Sequence, residues 1–366
     1  MSPTFWLYLI ACLAGVSCAL SGVYLVLRRQ AMLADAISHS ILPGLVAGFW
    51  IAHGPHLIAG FLGAVAAGLT TTLLVEGLTR TKKVANDSAI GLVFPAMFAI
   101  GVIWISLQFS NVHLDTDSVL FGEITLAVFD RFVMGGRDLG PQSVWILLAA
   151  LILNIAYLFL FRKELRIATF DADHAWLQGF DSRVIHYSLM VIVTITSVAA
   201  FTAIGAILSV ALIIVPAVIA RLLSNRLLPI IGITLAVGLL SALLGTSSAI
   251  AADLNIPGLV SVFLGLLFGI TLLFSPHQGI IAEKARRARQ RMHFAIQSLL
   301  IHIHKHENTP EEATESTLHH LSDEFGWSNS WSISVVNSAE RKGYLNLEQP
   351  VIRLTEKGRK QIPNGH

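Results

Sequence analysis

Asp35 and His39 stand four residues apart in the run Leu33-Ala34-Asp35-Ala36-Ile37-Ser38-His39-Ser40-Ile41-Leu42-Pro43-Gly44. A helix through this run puts both side chains on one face. A carboxylate beside an imidazole suits a borderline or moderately hard divalent ion such as manganese, iron(II) or zinc. The pair Arg28-Arg29 marks a membrane interface upstream. At about 1.5 Å rise per residue, Asp35 lies about 9 Å and His39 about 15 Å beyond it, near the bilayer midplane. Ionisable groups at that depth are costly and face a partner or a water-filled path. A structural hydrogen bond between the two in a closed bundle is the alternative, and the local chemistry leaves both readings open. Copper(I) has no soft ligand cluster here, because Cys12 and Cys18 do not converge on one helix face and no Met stripe accompanies them. His53, His56, His113, Asp115 and Asp117 fall at the outer ends of apolar runs, where they read as ordinary solvated residues although a cation could meet them.

The chain contains no G-x-x-x-x-G-K-[ST] phosphate loop, so any ATP-driven action needs another subunit's nucleotide site. The segment from Phe170 to Asp181 has an acidic start at Asp171, a short apolar face around Ala175 and a stop at Gly179. That is the anatomy of a short amphipathic helix offered to a partner. A solvated interhelical loop fits the same residues.

The elements that must position these groups follow from composition. Of 366 residues, 54% are hydrophobic and 13% charged, with mean hydropathy +0.68, which excludes an ordinary soluble domain and a chain-wide nucleic-acid-binding surface. Apolar windows long enough to span a bilayer occur at about 4–27, 31–52, 57–78, 88–109, 142–161, 184–203, 205–222, 228–246 and 258–275. The first has no positive n-region and is expected to be a retained span rather than a signal peptide. Arg and Lys cluster in alternate connections, which predicts an outside N-terminus and a cytosolic C-terminus. The sixth and seventh windows are almost continuous, so eight spans plus a re-entrant piece compete with nine. Pro43-Gly44, Pro95 and Pro216 break three windows, and the backbone groups they free require neighbours or a wet cavity.

Residues after Ser275 are composed differently: 91 residues hold 22 charges, against 26 in the preceding 275. His277 to Arg291 reads as a basic helix against anionic lipid. Thr309-Pro310-Glu311-Glu312 reads as a capping box opening a helix to about Phe325, followed by a helix at about 331–342 and a hairpin of Tyr344–Leu347 with Val351–Leu354. This is winged-helix order. The expected domains are a membrane domain over 1–276, a basic and His-containing linker over 277–308 and a cytosolic winged-helix-like domain over 309–366. The fold class is an all-α polytopic membrane protein of about nine transmembrane helices with a small α+β tail. In the run His302, His304, His306, the first and last share a helical face and could sense cytosolic metal, although a soluble His-rich linker is the preferred reading. Only Arg341 and Lys342 are basic on the expected recognition helix, few for neutralising phosphates, so nucleic acid is not an expected partner.

Taken together, Arg28-Arg29, Asp35 to His39 and Pro43-Gly44 resemble the signature of the manganese, zinc and iron permeases of bacterial ABC importers. So do Ala89-Ile90-Gly91, Leu120 to Ile124, Phe170 to Gly179, Ala211 to Leu223, and Ser248 with Asp253 before Pro257-Gly258. The resemblance covers residues 5–275. It implies a bacterial plasma-membrane subunit that pairs with a second permease, either another copy or a related paralogue. It also implies an extracytoplasmic metal-binding protein that delivers the ion and cytosolic ATPase subunits that drive transport. Asp35 and His39 match the metal-pathway positions, and the coupling loop matches Asp171, Ala175 and Gly179. The implied cargo is a divalent metal ion, manganese first and zinc or iron(II) next, with no covalently bound cofactor and no enzymatic activity in this chain. The tail departs from most members and resembles the DNA-binding half of metal-dependent repressors. Two other readings compete: a membrane-anchored, metal-responsive DNA-binding regulator, and a secondary carrier, for which inverted repeats are wanting.

Overall fold

The computed structural model describes residues 2–54, 56–108, 124–134, 137–171, 175, 177–276, 278–310, 312–348 and 351–362. The chain divides into two compact units, Met1–Gly279 and Ile280–His366.

The first unit is a helical bundle. Its long helices are α1 (Pro3–Leu27), α2 (Ala31–Ile51), α3 (Leu57–Arg80) and α4 (Asn86–Gln108). After a one-turn α5 (Ile124–Ala127) and a two-stranded antiparallel hairpin, β1 (Arg131–Met134) with β2 (Arg137–Pro141), comes α6 (Gln142–Leu160). An amphipathic α7 (Arg162–Phe170) precedes α8 (Ser182–Ile204), α9 (Ala206–Leu223), α10 (Leu227–Ala252) and α11 (Ile256–Phe274). Among the described residues, nine helices are long and apolar enough to cross a membrane. They coincide with the nine windows. The weak sixth–seventh boundary is a one-residue break at Gly205, whose φ of 80° ends one helix before the next begins. The hairpin was not expected; Arg131 and Asp138 pair across it at 3.3 Å.

Helix α1 lies at the centre, packed against α6, α8, α9 and α10. Lipid-like surroundings offer no hydrophobic drive between helices, so close approach depends on small residues. A Cβ on Gly22 would come 1.7 Å from the Ile213 carbonyl oxygen of α9, and one on Gly44 would come 2.1 Å from the Gly63 oxygen of α3. Helices α4 and α11 are mostly uncovered, with Leu92, Ile103, Leu266 and Ile270 more than half exposed, as lipid-facing residues should be.

The second unit begins with α12 (Ile280–His306) and continues through α13 (Glu312–Glu315), α14 (Leu318–Glu324) and α15 (Asn329–Arg341) to the antiparallel pair β3 (Leu345–Glu348) and β4 (Val351–Leu354), then α16 (Glu356–Arg359). The segment expected as a linker is thus largely helix, and its C-terminal half supplies Ala295, Ile296, Leu299, Leu300 and Ile303 to a core with Leu321, Val335, Val336, Ala339, Leu345, Ile352 and Leu354. The single helix expected from 309 to 325 is broken. Thr317 bridges to Val351, the Ile352 N–H donates to the Ser316 carbonyl at 3.0 Å, and the Thr317 hydroxyl caps α14 by accepting from the His320 N–H. The Glu312 carboxylate accepts from the Asn308 N–H at 3.0 Å, one residue before the expected cap; Glu311 lies outside the described residues.

Candidate metal centre

Pro43 has no N–H, so it cannot close the helical bond to the His39 carbonyl one turn earlier. The helix nonetheless continues to Ile51, with α3 and α4 packed along it; Gly101 of α4 allows the approach to Pro43. On this helix His39 Nε2 lies 3.4 Å from Asp35 Oδ1, and the side chains are 27% and 35% exposed. The imidazole also faces Phe94 of α4, with ring centroids 5.8 Å apart. Its neighbours Leu33, Ala34, Ala36, Ile37, Ser38 and Ser40 are buried. The pair is therefore a partly accessible polar spot whose flanking residues in the sequence are buried, with the ring offering nitrogen and the carboxylate offering oxygen. Ser38 is buried with its hydroxyl unpaired among the described residues.

A second polar constellation escaped the sequence reading. Glu76 of α3 takes an ion pair from His186 and a hydrogen bond from the Tyr187 hydroxyl, both on α8. Arg80 donates to Tyr187 at 2.7 Å and lies 3.6 Å from Glu76. With Arg28, Gln30, Ser182 and Arg183 these groups line a cleft of about 310 Å³. The available signal was Glu76 itself, a lone acid inside an apolar window. Arg28 also donates to the Thr169 hydroxyl of α7 at 3.1 Å.

Of the expected coupling segment, residues 172–174 and 176 lie outside the described residues. Asp171 is exposed, its carbonyl accepting from the Ala175 N–H at 3.1 Å, and Ala175 is fully buried. The Phe180 N–H reaches back to the Ala175 carbonyl at 3.0 Å around Gly179 at φ 82°, which is a glycine helix stop. Phe170 and Leu177 project outward, 62% and 75% exposed.

His53 and His56 are exposed and join no metal-ligating group among the described residues; His113, Asp115, Asp117 and the Leu120–Glu123 stretch lie outside them. His302 and His306 occupy the last turns of α12, not a loose linker. Their ring centroids are 4.9 Å apart. Glu315, the last residue of α13, approaches His302 Nε2 at 3.7 Å and His320 Nε2 at 2.5 Å.

Residues 2–275 match the model of the ABC 3 transport family. The zinc transport system membrane protein TroD of Treponema pallidum is 38% identical over 355 residues, covering 97% of this chain and 96% of TroD. The manganese transport system membrane protein MntD of Bacillus subtilis is 41% identical over 286 residues, covering 78% of this chain and 97% of MntD. Among solved structures, a chain of PsaBC from Streptococcus pneumoniae in complex with Fab matches at a TM-score of 0.63 and 26% identity, covering 76% of this chain and 94% of that one.

Proposed function

Because the chain belongs to the ABC 3 transport family, we propose that Asp35 and His39 form a station on the path of a divalent transition metal ion through it. The chain is a membrane permease subunit of an ABC metal importer, and ATP hydrolysis belongs to a separate subunit. The cargo is manganese or zinc, the ions named for its relatives; the nitrogen-plus-oxygen pair accepts either, and iron(II) as well. One observation carries the reading: Asp35 and His39 are the ionisable groups on α2, on one face, partly open to a ligand while Leu33, Ala34, Ala36, Ile37, Ser38 and Ser40 beside them are buried.

The N-terminus outside and the tail in the cytosol follow from the basic residues at one set of helix ends, Arg28, Arg80 and Arg183 among them. On that side the stop at Gly179 and the exposed apolar Phe170 and Leu177 offer a docking surface for the ATPase, with Asp171 and Ala175 setting its start. An extracytoplasmic metal-binding protein and a second permease subunit, identical or related, complete the importer in the bacterial plasma membrane. The tail's helices followed by the β3–β4 hairpin support a winged-helix arrangement. The few basic residues on α15, Arg341 with Lys342 beyond it, argue for a protein-facing role over a DNA-binding regulator.

Cellular uptake of radiolabelled manganese, zinc and iron, at matched membrane levels, tests the station. Asp35→Ala and His39→Ala should each reduce uptake of the cognate ion to background, whereas wild-type uptake in both would remove the pair from the path.

A further inference from the structure

The tail holds a cluster that transport leaves unexplained. His302 and His306 sit one turn apart on α12, and Glu315 reaches them from the end of α13. One donor atom from each of the three lies within 4.8 Å of the others, and His320 of α14 contacts the same Glu315 oxygen that faces His302. We propose that His302, His306 and Glu315 form a binding site for a borderline divalent metal ion, zinc or iron(II) before manganese, with His320 holding the Glu315 carboxylate in place.

The donor set selects the ion class, since two imidazoles and a carboxylate suit zinc or iron(II), whereas calcium and magnesium want oxygen throughout. The geometry is close to closed. Bonds of about 2.0–2.2 Å at tetrahedral angles put donor atoms about 3.4 Å apart, so shifts of little more than an ångström bring the three onto one ion. Access and support are both present: the His302 side chain is 11% exposed, Glu315 24% and His320 31%. A carboxylate ligand braced by an imidazole is a common outer-shell arrangement.

The ligands come from both sides of the Asn308–Thr309 turn, so a bound ion cross-links α12 to α13, and His320 ties α14 to the same carboxylate. By mass action it stabilises the tail as metal concentration rises. The site itself does not depend on the transport reading; only its use as a gauge of imported metal rests on that reading.

The test uses the full chain in detergent, stripped by chelator and titrated with zinc(II), and with cobalt(II) as a spectroscopic probe. Wild type should bind one ion per chain more than His302→Gln/His306→Gln, and that ion should give cobalt d–d bands of low coordination number. The Asp35→Ala/His39→Ala chain should keep this ion, which separates the tail site from the membrane pair. His320→Ala should weaken it about 10–100-fold, and His320→Gln, which retains an N–H donor, should restore most of the affinity. Equal stoichiometry and equal cobalt spectra in wild type and His302→Gln/His306→Gln would overturn the proposal. Because glutamine keeps side-chain bulk and polarity, tail folding followed by Trp327 and Trp331 fluorescence should be unchanged in the metal-free variant.

Discussion

The two units of this chain are held together by opposite means. In the membrane unit, helices meet backbone to backbone at Gly22 against Ile213 and at Gly44 against Gly63, and large apolar side chains such as Ile103 and Leu266 point outward. In the tail, Leu299, Val335 and Ile352 fill a core, and the rim carries caps and ion pairs such as Arg353 with Glu312 at 3.3 Å. The hydrophobic effect acts on the tail, whereas in the bundle it is spent against lipid and leaves van der Waals contact to set the packing. The polar residues differ accordingly. In the bundle hydroxyls such as Thr71 and Thr234 are satisfied by their own helix, so an ionisable group inside a span is the exception that asks for a function, while in the tail charged groups are ordinary surface.

The largest expected effect comes from disturbing a helix crossing. Gly22→Leu places a side chain where the Ile213 carbonyl stands, and backbone on both sides leaves nowhere to move. The variant should be lost from the membrane or become protease-sensitive throughout; a folded, transporting variant would break the contrast. Next is the tail core. Leu299→Ala should cost the tail about 2–5 kcal/mol, read as a lower unfolding temperature by tryptophan fluorescence, with the bundle intact. Truncation after Gly279 sharpens the same point: the shortened chain should insert and transport within about threefold of wild type, as expected of units with separate cores. Abolished uptake in a normally inserted truncation would show that the tail is integral to transport.

Smaller still is Gly179→Val. Among the described residues nothing lies within 4 Å of a Cβ there, but a φ of 82° costs a β-branched residue about 1–2 kcal/mol. The helix stop should loosen, lowering ATPase pull-down and metal-stimulated hydrolysis while uptake-competent folding survives. Unchanged values for both would put the docking surface elsewhere. The smallest effect concerns Glu307, whose carboxyl is held below its usual range first by the Arg359 guanidinium and also by His304. A depressed folded pKa contributes stability that is present above about pH 4.3, the unfolded value, and is lost as pH falls through the lower folded one. Arg359→Met should therefore flatten the tail's acid unfolding only below that pH; an equal slope in both chains would leave the pair without weight.

The bundle was largely legible because apolar length is a local property: each of the nine windows lies within a few residues of an observed helix. The Asp35–His39 pair was legible for the same reason, since helical spacing alone places it. What stayed hidden depends on distant partners. Glu76 meets His186 across 110 positions of sequence, and the break at Ser316-Thr317 arises because that backbone bridges to Val351, against a local pattern that favours one helix. His302 and His306 could be paired from spacing, but their approach to Glu315 depends on the turn at Asn308–Thr309 that folds α13 back on α12. The Gly205 boundary was ambiguous because a single glycine does the work usually done by a polar turn.

A transported ion that touches the α2 pair is read out by pulsed electron paramagnetic resonance of manganese(II) bound to the His302→Gln/His306→Gln chain. The manganese signal should carry a histidine-nitrogen modulation that disappears in an otherwise identical chain carrying His39→Ala. A signal with the same nitrogen modulation in both, at the same occupancy, would contradict that contact.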